Sequence, residues 1–218
     1  MRAKSTEPRK AETFVPAQGK GGETETPEAV TASSEKEAIR IFLVARDRLL
    51  NVNHWDSLCG PLSAGFRLTD EAGHPMDADA KVGNYIRIDL PGPGTAEGQG
   101  FDWVKIEKIE YHPVLERYEL FLLQARPSPQ PGKMGEAGSQ GTIARDTAHF
   151  FEQSATSSFI VERDGLNVSA TVYGRNEIPN MSASHVADKV RNAVIGIAGA
   201  AGVSKLQWRA LVKGLLKK

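Results

Sequence analysis

The period of the apolar positions changes along the chain, and each change marks an element. Between residues 35 and 50, Ala38, Ile39, Phe42, Leu43 and Leu50 recur at helical spacing behind a Ser34/Glu37 capping-box pair, which predicts an amphipathic helix. From residue 66 the period falls to two. Phe66 and Leu68 alternate with Arg67 and Thr69, Asp70 to Gly73 reads as a turn, and Ile86, Ile88 and Leu90 alternate with Tyr85, Arg87 and Asp89. Residues 101–111 and 117–126 read as a hairpin around His112-Pro113. A second hairpin turns at Asp164-Gly165, pairing Arg163 with Leu166, Val161 with Val168 and Phe159 with Ala170. One of its faces is apolar and the other is mostly polar, which predicts a sheet covered on one side and wet on the other. Beyond Pro179, Val190, Val194, Ile197, Ala201, Trp208, Leu211, Val212 and Leu215 hold nearly one helical phase, consistent with a single helix of about 30 residues. A capping box at Ser204/Gln207 offers a second start inside that span.

The stretches between these elements are polar or rich in glycine and proline. Residues 1–33 hold almost nothing to bury and read as a disordered tail, leaving 34–218 as a single α+β domain. Residues 91–100 (PGPGTAEGQG) form a loop by composition, and 127–145, with Pro127, Pro129, Pro131 and several glycines, form a long excursion suited to a lid.

Charge and composition narrow the function classes. The 218 residues carry 27 basic and 27 acidic side chains. The balance is a cancellation, because residues 188–218 sum to +6 and 34–187 to −6, which predicts that the last helix docks on an acidic body. A single cysteine, Cys59, excludes an internal disulfide framework and suits a reducing compartment. With no apolar leader behind MRAKSTEPRK and no span of roughly 20 apolar residues, the expected location is cytoplasmic. The five histidines show no metal-ligand spacing, the glycine-rich loop opens no helix, and no GxSxG elbow occurs, so no metal, nucleotide cofactor or serine hydrolase is expected. The basic C-terminus has no aromatic platform beside it and the body is acidic, which argues against nucleic acid.

Helix, then about six antiparallel strands forming a curved sheet, then a long C-terminal helix with a small-residue stripe (Ala193, Ile197, Ala200, Ala201): this order resembles the helix-grip fold of the START and Bet v 1-like superfamily. The resemblance implies a sheet wrapped around the terminal helix, with a cavity between them. It also implies a strand ahead of the first helix, for which Thr13-Phe14-Val15 is the candidate. The runs TAHFF, ATSSF and YGRNEIPN resemble bacterial hypothetical proteins and imply no activity.

Three groups of side chains could serve such a cavity. Trp55, Tyr85 and Trp103 either line an apolar pocket or are ordinary core. His149, in a strand-like run continuous with Phe159 and Val161, falls on the covered face as a core histidine, a ligand contact or a general base. Tyr173, Arg175 and Asn176 stand at a strand end, where Arg175 either clamps a carboxylate or phosphate or pairs internally with Glu177 or Asp102. The expected function is binding of a small apolar or amphipathic molecule between sheet and helix. The alternatives are a cyclase- or hydrolase-like enzyme using His149 and Arg175, and an interaction domain without a ligand.

Overall fold

In the computed structural model, the described residues are 10–60, 64–89, 98–115, 117–132, 147–180 and 200–217. They form one curved antiparallel sheet of seven strands: β1 (Gly22–Thr31), β2 (Gly65–Thr69), β3 (Tyr85–Asp89), β4 (Asp102–Leu115), β5 (Tyr118–Pro127), β6 (Thr156–Asp164) and β7 (Asn167–Glu177). Their order is β1-β7-β6-β5-β4-β3-β2. Helices α1 (Glu35–Leu50) and α2 (Trp55–Cys59) link β1 to β2, and α3 (Ala200–Leu216) follows β7. The first helix begins where its capping box places it. The Ser34 hydroxyl accepts the Glu37 N–H at 3.2 Å, while the Glu37 carboxylate accepts the Ser33 N–H at 2.7 Å.

The largest correction concerns residues 1–33, which do not form a disordered tail over their described part. Gly22–Thr31 is a ten-residue edge strand paired with β7 from Thr31↔Asn167 to Gly22↔Glu177. This is the strand ahead of the first helix, and it lies downstream of Thr13-Phe14-Val15, which belongs to a short 3-10 helix (Lys10–Phe14) and its exit. The sequence GETETPEAVT looks unfit for a sheet because it is acidic and contains Pro27. An edge strand needs only one hydrogen-bonding side, and charge and proline on its free side discourage pairing with other chains. The domain therefore starts well before residue 34, and with β1 the described residues supply seven strands where about six are expected.

Two turns also differ from expectation. The first hairpin pairs Leu115 with Tyr118, so His112 and Pro113 lie inside β4, opposite Leu120 and Glu119. Proline is tolerated there because β3 pairs only with Asp102 to Lys105, which leaves that part of β4 with one neighbour. In the second hairpin Asp164 pairs with Asn167 around Gly165 (φ 62) and Leu166, a register two residues from the expected one. A shift of two leaves every side chain on its expected face.

Both faces of the sheet are covered at its centre. On the inner face Phe121, Phe159, Val161 and Val172 join a continuous core with Phe42 and Leu49 of α1, Trp55 of α2, and Leu211, Val212 and Leu215 of α3. Each such side chain, fully buried, contributes about 1.5–3 kcal/mol. On the outer face Leu120, Leu122, Ile160 and Tyr173 pack under Ala11, Phe14 and Val15, so the side expected to be wet is capped by the N-terminal segment. Phe14 lies 4.4 Å from the His112 ring, centroid to centroid.

The last helix runs unbroken through Gly202 and Ser204, so Ser204 does not start a helix. Residues 181–199, over which the longer helix was expected, lie outside the described residues, as do 133–146 of the lid-like excursion. Docking of α3 is apolar rather than ionic. Trp208 meets Phe159 edge to face and Phe66 at a tilt, Gly214 sits against the Leu58 backbone, and Arg209, Lys213 and Lys217 point to solvent. At its C-terminus the Gly214 and Leu215 carbonyls accept from Arg48 of α1 at 3.1 and 3.0 Å, a cationic cap on the negative end of the helix dipole.

Candidate functional site

Cross-strand pairing arranges the inner face in rows. One row is Thr26, Val172, Phe159 and Leu123, all buried. The next row toward the β7 C-terminus is Thr24, Gly174, Ser157 and Ala125. Here Thr24 and Ser157 each bring a hydroxyl, and both are only partly buried, whereas Thr26 of the first row is buried. An apolar floor thus ends in a polar, partly open margin within one residue pair along each strand.

Glu177 completes that margin. Between Gly22 and Thr24 the β1/β7 register slips by one residue, and Asn176 takes a left-handed backbone conformation, φ 56. The residues before β1 hold this irregularity: the Asn176 side-chain oxygen accepts the Gly19 and Lys20 N–H groups at 2.7 and 3.1 Å, and its amide donates to the Ala17 carbonyl at 3.2 Å. The slip returns the Glu177 carboxylate over Gly174, into the space a Cβ at that position would need. Its Oε1 accepts from the Thr24 hydroxyl at 3.2 Å. Burial pushes the Glu177 carboxyl above its ordinary value, opposed by the Thr24 hydrogen bond and by the charge of Arg175. Among the described residues no cation lies within ion-pair distance of it.

The residues singled out from the sequence are distributed over both faces. Trp55 is on the inner side, 1% exposed, packed on Phe66 and Phe159, with its indole N–H donated to the Leu49 carbonyl at 3.2 Å. Tyr85 and Trp103 lie on the outer face and are buried together with Ala148, so they do not join Trp55 in one pocket. His149 is not in a strand, because β6 begins at Thr156 and residues 148–150 form a bend. That bend bridges the sheet: the Ala148 carbonyl accepts the Trp103 N–H at 2.7 Å, and Asn180 donates its side-chain amide to the His149 carbonyl at 3.1 Å. The His149 ring is buried against Phe150, and its Nδ1 accepts the Phe151 N–H at 2.9 Å. Tyr173 belongs to the outer core.

Arg175 is on the outer face as well, 5.3 Å above the Tyr173 ring centroid, and donates to the Gly174 and Thr24 carbonyls at 3.0 and 3.3 Å. With Glu12, Glu23, Thr24 and Glu25 it lines an open cleft of about 380 Å³. His149 does not line that cleft, and Arg175 and Glu177 turn to opposite faces instead of pairing. Asp102 is three strands from β7. An acid-base pair of His149 and Arg175 is therefore not assembled, since neither the histidine's bend nor the arginine's cleft faces the inner side of the sheet.

Among the described residues a strand is followed by helices α1 and α2, six further antiparallel strands that bring β7 beside β1, and a terminal helix packed on the inner face. The architecture is α+β, one antiparallel sheet with a terminal helix on its inner face. No protein-family model matches the sequence, and no curated protein matches it. Among solved structures, norcoclaurine synthase from Thalictrum flavum is similar at 13% identity over 100% of this chain and 98% of that chain, with a TM-score of 0.42. Ara h 8.0201 matches at 12% identity over 90% of this chain and 100% of that one, TM-score 0.34. Major latex-like protein 151 from Panax ginseng matches at 12% identity over 86% and 99%, TM-score 0.34. Likeness at this level carries no information about ligand or reaction. Among the described residues no helix is long and apolar enough to cross a membrane, and no group of three or more metal-ligating side chains comes together.

Sequence reasoning passes over Thr24, which falls within residues 1–33, and Ser157; it groups the Glu177 carboxylate with Tyr173, Arg175 and Asn176 at the strand end but does not place it on the inner face. The signal was YGRNE itself: a glycine followed by an Asn that tolerates positive φ marks a bulge near a strand end, and a bulge reverses the face of the residue after it.

Proposed function

We propose that the chain binds a small amphipathic molecule on the inner face of its sheet, between the sheet and α3. One observation carries this reading: the change from the buried row Thr26, Val172, Phe159 to the half-open row Thr24, Gly174, Ser157 beneath the Glu177 carboxylate. Ligand sites of small domains combine an apolar wall with a few placed polar groups, and this margin has both. Phe159 and Val172 would meet the apolar body of the ligand, and Thr24, Ser157 and Glu177 its polar end. Trp55 forms the wall behind them.

The test is native mass spectrometry of protein purified from its own host, paired with Nile red fluorescence. A copurifying molecule of small-ligand mass, or a saturable blue shift of Nile red that Phe159→Ala weakens, is the expected result. Bare polypeptide mass together with unchanged Nile red emission overturns the reading.

A further inference from the structure

The carboxylate at the polar margin has a more specific consequence, which rests on the binding reading above. We propose that Glu177 receives a cationic nitrogen, so that the ligand is an apolar molecule bearing a protonated amine.

The backbone is specialised to put this carboxylate on the inner face. Three features act together: the register slip between Gly22 and Thr24, the left-handed Asn176 held by Gly19, Lys20 and Ala17, and the absence of a side chain at Gly174 where the carboxylate lies. A regular β7 would aim residue 177 at the outer face together with Tyr173 and Arg175. Asn176 in this conformation is strained relative to an ordinary strand residue, and such strain persists only where the surroundings impose it.

What the carboxylate meets there is incomplete. Oε1 accepts a hydrogen bond from the Thr24 hydroxyl, while among the described residues no cation and no second donor reaches the group. Arg175, the nearest described cation acting on it, is committed on the other side of the sheet to two carbonyls and the Tyr173 ring. A half-buried carboxylate with one neutral hydrogen bond is a net cost to the fold, and a glutamine would keep the Thr24 contact at less cost. A cation arriving with the ligand supplies the missing partner. The charge of the body has the same sign: residues 34–187 carry an excess of six negative charges.

The experiment displaces Nile red from the folded full-length chain with three twelve-carbon probes: dodecylammonium, dodecanol and dodecanoate. Wild type is expected to bind dodecylammonium roughly tenfold more tightly than dodecanol, the scale of a hydrogen bond to a charged group, and dodecanoate least tightly. Glu177→Gln should bring the ammonium-to-alcohol ratio to within about twofold. Thr24→Val, which leaves the carboxylate but removes its hydroxyl partner, should lower the ratio part-way, and it provides the test if the Gln variant does not fold by circular dichroism. Lowering the pH should erase the wild-type preference as the carboxyl protonates, while the Gln variant stays flat. Dodecanol binding with no preference for the ammonium, or a preference that survives Glu177→Gln, overturns this inference and leaves the binding reading standing. Displacement by none of the three probes overturns both.

Discussion

The carboxylate of Glu177 occupies the volume that a side chain at residue 174 would fill, so Gly174 and Glu177 are mutually dependent positions on one strand. A methyl group at 174 would overlap both Glu177 Oε1 and the Thr24 hydroxyl oxygen. Gly174→Ala is expected to lower stability by about 1–3 kcal/mol, the usual cost of overpacking, measured by urea unfolding. Gly174→Ala combined with Glu177→Ala should recover part of that loss, the Thr24 hydroxyl still crowding the new methyl group. An additive double variant would show that the two side-chain positions do not compete.

The same carboxyl makes stability depend on pH with a defined sign. Its folded value is raised above the unfolded one, so the folded state holds its proton more tightly. Stability from this group is complete below the unfolded value and is lost as pH rises through the folded value. Glu177→Gln, which mimics the protonated form, should therefore raise Tm at pH 7, and the gain should vanish near pH 4. A gain of the same size at both pH values would exclude burial of the charge as its cause.

Arg163 and Glu119 are cross-strand partners on the inner face, joined through the guanidinium Nε with side chains 6% and 13% exposed. Glu119 also accepts the Tyr111 hydroxyl at 2.8 Å, which raises the Tyr111 phenol above its ordinary value. Arg163→Ala strands a nearly buried carboxylate and is expected to cost about 3–5 kcal/mol, whereas replacing both partners with apolar residues should cost much less. Equal losses for the single and double variants would remove the ion-pair explanation.

Deleting residues 1–33 removes β1 together with the cap over Leu120, Leu122 and Ile160. The truncated chain is expected to lose cooperative thermal unfolding and to bind ANS, because β7 would gain an open edge and the outer core an uncovered face. Retention of the full-length Tm would mean that β1 adds nothing to the fold.

Cys59 is half-buried, and its thiol is pushed up to about 12 by burial and by the neighbouring charge of Asp56. Since the thiolate is the nucleophile, alkylation by iodoacetamide at pH 8 should be much slower in the native protein than in urea. Equal rates in the two states would contradict that environment.

Legibility of the fold and of the site differed for a physical reason. Helix α1, its cap at Ser34, and strands β2, β3, β6 and β7 were readable because periodicity reports how a segment divides between core and solvent. Strand β1 was not, because its stability comes from backbone hydrogen bonds to β7, about 140 residues away, which leave little trace in side-chain pattern. The outer cap at Ala11 to Val15 was missed for the same reason. The candidate residues Tyr85, Trp103, Tyr173 and Arg175 fall on the face away from α3, and Asn176 has a structural duty in holding the slip beside Glu177.

By itself, then, the sequence determined an α+β domain, the apolar face of each strand, and the segregation of acidic body from basic C-terminal end, since local period and composition are sufficient for these. Only the tertiary structure decided that a polar edge strand closes the sheet, that α3 docks through Trp208 and Leu211 with Lys213 and Lys217 in water, and that Glu177 is turned inward. Each of those outcomes depends on a partner distant in sequence, and a one-residue slip at the end of β7 reverses a side chain without altering the composition of the chain.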